Sequence, residues 1–281
     1  MITVEVIQMA VKANHDISSG LDTAFINSTI NSNLTYRPEF VSNDYTQGKK
    51  VSVAIERELR HCDAFYISVA FITEGGLAPL KQVLAELRDK GIPGKILTTS
   101  YLTFTEPKAL KTLADLSNVE VRVYDSTDEG ASGFHTKGYI FKEEEIYRFI
   151  VGSSNMTASA FSVNKEWNTK LVSTSDGELL KQMMTEFNAL WNSEHTLAVE
   201  DFIEDYEVRY KLIKEQKKNA AKEQMVDLQA YKLQPNKMQA RCVSNFRKLL
   251  ESNAYRDCES ILFYYGSCRL LGWYLFIGII F

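Results

Sequence analysis

Ala64–Phe71 reads AFYISVAF, a continuous apolar and β-branched run of the kind found in strands covered on both faces. Just before it, Lys50–Arg60 spaces Val51, Ile55 and Leu59 four apart, which is one buried helical stripe. The same switch then repeats. Leu77–Leu87 has helical character and stops at Gly91 and Pro93, and Lys95–Thr99 (KILTT) follows as a strand. Pro107–Leu116 is a second such helix, and Val119–Tyr124 (VEVRVY) a second such strand. Alternation at this rhythm predicts an α/β domain with a mixed, largely parallel sheet flanked by helices on both faces.

Beyond Gly138 the rhythm changes. Tyr139–Phe141 and Tyr147–Val151 are apolar runs joined by the charged string KEEEI, and the pair predicts a hairpin. Trp167–Ser173 predicts a third strand, and Glu178–Trp191 a helix with Leu179, Met183, Phe187 and Leu190 on one face. Val199–Lys222 is charged, with Phe202, Tyr206, Tyr210 and Ile213 in one apolar stripe; this predicts an amphipathic helix leaving the core domain as a C-terminal extension. The stripe is expected to pack rather than to stack on bases.

Ile261–Phe281 is nearly all apolar, with Arg269 as its one charge. The length suits a membrane span, yet a central Arg costs about 2.5–3.5 kcal/mol on insertion. Buried or aberrant sequence at a truncated end is the expectation, ahead of a tail anchor.

Composition sets the outer limits. The 281 residues are 45% hydrophobic with only 5 Pro, enough to bury the core of one large domain, with or without an appendage, and too apolar for a disordered chain. A formal charge of −4 excludes a protein that coats nucleic acid by bulk positive charge, though not one with a local basic cleft. Cys62, Cys242, Cys258 and Cys268 contain no C-x-x-C pair, so neither a disulfide framework nor a zinc knuckle is expected. The N-terminal stretch lacks the pattern of a secretory signal, and a cytoplasmic location is the simplest expectation.

The chain has no G-x-x-x-x-G-K-[ST], H-E-x-x-H, G-x-S-x-G or G-x-G-x-x-G, which removes the signatures of the common nucleotide, zinc-protease, hydrolase and dinucleotide sites. Chemistry-bearing residues concentrate between Phe134 and Trp167: FHTKGYIF, then RFIVGSSNMT, then NKEWN. On a strand starting at His135, alternation would put His135 and Lys137 on one face. Gly152, Ser153, Ser154 and Asn155 follow the next strand, at an edge where α/β sheets bind ligands. Glu166 comes just before the strand after that.

His135-x-Lys137 followed by Gly152-Ser153-x-Asn155 resembles the H-x-K…G-S-x-N signature of the phospholipase D superfamily, whose members cleave phosphodiesters in lipids or DNA. That signature often carries an Asp five residues after the Lys, where this chain has Lys142; the metal-independent nuclease branches are similar in lacking it. Glu166 matches a carboxylate of those nucleases. Over roughly Gly20–Tyr210, strings such as TYRPEF, FYISVAFITEGGL and KILTTSYLTFTEPKAL resemble the phospholipase D-like domain that precedes the motor of certain bacterial superfamily 2 DEAD/DEAH-type helicases. Leu233–Leu250 is similar to the entry segment of such a motor, but no phosphate loop follows, so ATP binding is not expected.

The resemblance implies His135 as nucleophile, forming a phosphohistidine, with Lys137 and Asn155 holding the phosphoryl oxygens, Ser153 supporting that shell and Glu166 orienting an imidazole. It implies no metal and no other cofactor. With one such motif per chain, the second His135 would come from another subunit, in a two-fold dimer with the cleft on its axis. The expected organisation is a nuclease domain over 1–195, a helical connector over 196–232 and the start of a truncated motor over 233–281. The expected function is metal-independent cleavage of DNA, RNA not being excluded. A catalytically decayed DNA-docking or dimerisation module is one alternative, and a membrane-anchored lipid phosphodiesterase another.

Overall fold

The computed structural model describes residues 2–127, 129–230 and 237–251. The apolar stretch Ile261–Phe281 lies outside them. Eight strands form one open sheet: β1 (Glu39–Val41), β2 (Ala64–Val69), β3 (Gly94–Thr99), β4 (Val119–Tyr124), β5 (Lys137–Glu143), β6 (Ile146–Gly152), β7 (Asn168–Thr174) and β8 (Thr196–Ala198). Their spatial order is β1-β7-β6-β5-β2-β3-β4-β8. The helices are α1 (Ile2–Leu21), α2 (Val51–Leu59), α3 (Glu74–Leu77), α4 (Lys81–Asp89), α5 (Pro107–Ala114), α6 (Ala158–Ser162), α7 (Glu178–Trp191), α8 (Val199–Ala230) and α9 (Lys237–Glu251).

The fold is mixed α/β with helices on both faces, as the alternation predicts, but the sheet is less parallel than expected. Parallel pairing is confined to β2–β3 and β3–β4; the other neighbours pair antiparallel. Connection length is the reason. Helices α4 and α5 supply the crossovers that parallel strands need, whereas β5 and β6 are joined by a turn at Glu144 and Glu145, which permits only an antiparallel return. The helix expected over Leu77–Leu87 is broken into α3, a 3-10 turn at Ala78–Leu80 containing Pro79, and α4.

One face of the sheet buries Phe65, Ile67, Val69, Ile96, Val121, Tyr139 and Ile150 against α2, α4, α5 and the start of α8. The opposite face buries Leu97, Tyr124, Ile140 and Phe149 against α7 through Leu180, Phe187 and Trp191. Within the first face an ionic group is enclosed. Lys170 Nζ lies 2.7 Å from Glu39 Oε1 and 3.2 Å from Glu58 Oε1, and the Lys170 and Glu58 side chains are 5% and 7% exposed.

The chain divides into two compact units, Met1–Lys217 and Lys218–Phe281. The first continues past residue 195: Thr196–Ala198 is the eighth strand, and Phe202 and Tyr206 enter the core. The Tyr206 hydroxyl donates to the Thr105 carbonyl at 2.8 Å, so this part of the aromatic stripe is packing. In the second unit the described helical residues are the end of α8 and all of α9.

Candidate active site

Strand register brings the motif residues to one edge of the sheet. Lys137, the first residue of β5, sits opposite Val69 at the end of β2. Gly138 faces Val151, and Gly152, the last residue of β6, faces Asn168 at the start of β7. The C-terminal ends of the parallel strands β2, β3 and β4 open at that same edge, where a ligand can meet loops without disturbing the ladder.

His135 is not on a strand, as alternation had suggested, but in the extended segment before β5. The segment is held against β2: Ala70 N–H donates to the Thr136 carbonyl at 3.0 Å, and the Ser68 and Thr136 hydroxyls lie 2.6 Å apart. The His135 ring is exposed and meets Phe71 edge-on, with centroids 6.0 Å apart. Lys137 Nζ donates to His135 Nδ1 at 2.9 Å and to the His135 carbonyl at 3.0 Å. Nε2 of the same ring lies 3.4 Å from that Nζ, so either ring nitrogen, when unprotonated, can accept from the ammonium. Burial pushes the Lys137 ammonium below the ordinary lysine value, against the pull of Glu166.

The G-S-x-N strand end is locked by the segment before β7. Ser153 N–H donates to the Trp167 carbonyl and Trp167 N–H to Ser153 Oγ, both at 3.1 Å. Ser153 Oγ donates to the buried Glu166 carboxylate. Asn155 Oδ1 accepts from Phe71 N–H at 3.2 Å, which ties the end of β6 to the residue just beyond β2. Tyr139 is wholly buried beneath, and its hydroxyl donates to the Ser154 carbonyl at 3.0 Å; burial, with Glu166 nearby, holds it well above the usual phenol range.

His135, Lys137, Ser153, Asn155 and Glu166 thus gather at one edge. Among the described residues no hydrogen bond joins Glu166 to His135; the carboxylate is engaged by Ser153. His61 stands apart at the end of α2, exposed, with Nδ1 2.8 Å from the Arg57 carbonyl. Glu143 pairs with Arg148, and the Glu144 N–H donates to Asp63, so the acidic string is a hairpin turn. Among the described residues no group of three His, Cys, Asp or Glu side chains is placed to hold a metal, and no helix is long and apolar enough to cross a membrane.

Two further groups at this edge escaped the motif reading. Asp125, just past β4, accepts from the hydroxyls of Ser100 at 2.6 Å and Thr127 at 2.8 Å, and Arg209 of α8 lies 3.4 Å away. Burial raises this carboxyl, but those donors outweigh it and hold it below the usual range. Phe71 and Phe104 stand edge-to-face at 5.0 Å between centroids, next to His135. Both groups lie in the segments that follow the parallel strands β2, β3 and β4, and position after a strand was the signal that could have found them.

Residues 62–191 match the family model described as the phospholipase D-like domain of cardiolipin synthase. Over these residues the chain is similar to a phospholipase D-like domain. The match contains all five motif residues and ends at the last residue of α7. No curated protein sequence matches the chain. Among solved structures, the phospholipase D family member Nuc from Salmonella typhimurium is 16% identical, with 58% of this chain and 98% of that one covered and a TM-score of 0.44. NucT from Helicobacter pylori gives 15%, the same coverages and 0.45. Phosphatidylserine synthase from Haemophilus influenzae gives 15%, 67% of this chain, 46% of that one and 0.44.

Proposed function

We propose that the phospholipase D-like domain is a metal-independent phosphodiesterase that cleaves DNA within a two-fold dimer. The observation that carries this reading is the meeting of His135 and Lys137 with Ser153, Asn155 and Glu166 at one sheet edge. A His135 ring nitrogen attacks the phosphorus, a P–N bond forms and the bond to the leaving oxygen breaks. The partner subunit's His135 gives that oxygen a proton. Water then attacks the phosphohistidine, its proton passes back to the partner subunit's His135, and the P–N bond breaks.

Each chain-borne group has a task in this scheme. Lys137 must leave His135 for a phosphoryl oxygen, which frees the ring to act. Asn155 spends Oδ1 on Phe71, so its amide Nδ2 is the end that faces the same oxygens. Ser153 fixes Glu166, and that carboxylate would orient whichever imidazole the dimer brings to it. Two copies of Lys137 in one cleft supply positive field that the total charge of −4 conceals. In the wider resemblance such a module serves a helicase motor.

Cleavage of DNA should persist in EDTA and vanish in His135→Ala, and sedimentation should give twice the chain mass. EDTA-sensitive cleavage, or turnover that survives the substitution, overturns the proposal. Binding and dimerisation without turnover would instead favour the decayed docking module.

A further inference from the structure

The loop after β3 puts large apolar side chains into solvent beside the site. Tyr101 is 42%, Leu102 53% and Phe104 49% exposed, although burying each would be favourable. The loop is not slack. Leu102 and Thr103 both hold φ 54, a left-handed conformation costly for such residues. The next residue is anchored: Thr105 is buried, its hydroxyl donates to the Thr99 carbonyl at 3.0 Å, and its own carbonyl accepts from Tyr206. On the outer side Lys217 Nζ sits 5.1 Å from the centre of the Phe104 ring and 3.5 Å from the Leu102 carbonyl. A half-exposed ring is thereby fixed in place, with a cation over one face and Phe71 linking it to His135.

An aromatic face next to a cation, both adjoining a phosphodiester site, matches one repeating unit of a nucleic acid strand: base on ring, phosphate on ammonium. A paired base keeps both faces inside the duplex stack and cannot lie on Phe104. We propose that Phe104, with Phe71 at its edge and Lys217 over one face, stacks an unpaired base on its other face, next to the phosphodiester held at His135, so that the substrate is single-stranded nucleic acid. This deepens the nuclease reading and rests on it for the identity of the neighbouring phosphate.

The test measures anisotropy of the full chain carrying His135→Ala, so that substrate persists, with labelled oligothymidylate of about twelve nucleotides and its abasic counterpart. Phe104→Ala should weaken oligothymidylate binding about 5- to 150-fold, the range for one stacked base, and leave the abasic strand unaffected. Phe104→Trp should keep affinity and report the base by fluorescence quenching. Lys217→Ala should weaken both strands alike. Unchanged oligothymidylate binding in Phe104→Ala, equal losses on the two strands, or a preference for duplex overturns the proposal. So does loss in Phe104→Ala of binding to phosphatidylglycerol vesicles without any base dependence, which would assign the loop to lipid. Failure of the nuclease reading shows separately, as no hydrolysis of bis(p-nitrophenyl) phosphate by the unsubstituted chain.

Discussion

Gly152 ends β6 where that strand meets β7, and a methyl group there would sit 2.2 Å from the Trp167 carbonyl oxygen and 2.6 Å from both Cα and Oδ1 of Asn168. Ordinary contact begins at 3.4 Å, so in Gly152→Ala the Trp167 backbone must retreat by about 1.2 Å. Two of these neighbours are backbone atoms, and Asn168 Oδ1 is held by the Ser154 N–H at 3.2 Å, so they have little freedom to give way. That same carbonyl accepts the Ser153 N–H, and Glu166 is the residue before it. The shift is therefore delivered to the Ser153–Glu166 pair. Overpacking of this kind costs about 1–3 kcal/mol, which at about 2–4 °C per kcal/mol lowers Tm by roughly 2–12 °C. A displacement near 1 Å in a catalytic constellation costs about a hundredfold in rate. Circular dichroism melting and hydrolysis of bis(p-nitrophenyl) phosphate in EDTA measure the two effects. A variant with both the Tm and the kcat of the parent would refute the reasoning, because the ladder would have absorbed the methyl group at no cost.

Lys170→Met removes the ammonium 3.2 Å from buried Glu58 while the Arg57 and Arg148 guanidiniums stay at 3.4 and 3.8 Å. It should lower stability by about 1–3 kcal/mol in urea unfolding, most of which the double variant Lys170→Met/Glu58→Leu recovers. A loss below about 1 kcal/mol would show that the ionic group is not enclosed as described. The proposed chemistry needs Lys137 as an ammonium, and its pKa lies below the ordinary 10.5. Activity should accordingly fall as pH rises through a midpoint under 10.5, and Lys137→Arg, which stays charged, should remove that alkaline limb from whatever activity remains. A limb at or above the ordinary value contradicts the burial argument.

The elements with strong local patterns were readable from sequence. Val119–Tyr124 and Glu178–Trp191 appear with the bounds their patterning predicts, although α7 buries Leu180, Phe187 and Trp191 and leaves Leu179, placed on the expected face, 52% exposed. The KEEEI hairpin was equally plain. Strand direction was not: β2, β3 and β4 look alike in sequence to strands of a wholly parallel sheet, and the antiparallel partners on either side follow from connection lengths and edge pairing. Helix α1 also went unread, since Val11 is exposed and Ile17 buried within a run of mixed polarity. Strand periodicity together with the resemblance to the H-x-K…G-S-x-N signature pointed to His135, Lys137, Ser153, Asn155 and Glu166 as one neighbourhood. Sequence could not place Lys137 on its own His135 or Ser153 on Glu166, because those are choices of side-chain geometry. Phe104 and Asp125 were missed because the motif spans only Phe134 to Trp167 and leaves out the segments after β3 and β4, where position alone pointed to them.

The outermost strands are each three residues long and come from opposite ends of the first compact unit: β1 before the parallel strands and β8 after α7. They act as covers. Thr196–Ala198 pairs with Arg122, Val123 and Tyr124, so a fragment cut after residue 195 would present β4 as a bare ladder beside the cavity vacated by Phe202 and Tyr206. Unpaired edges of that kind recruit other strands. Such a fragment should come out of expression as aggregate even with every motif residue intact, whereas a boundary beyond Lys217 keeps the edge closed. For this protein the choice of where to end a recombinant fragment decides whether its chemistry can be assayed at all.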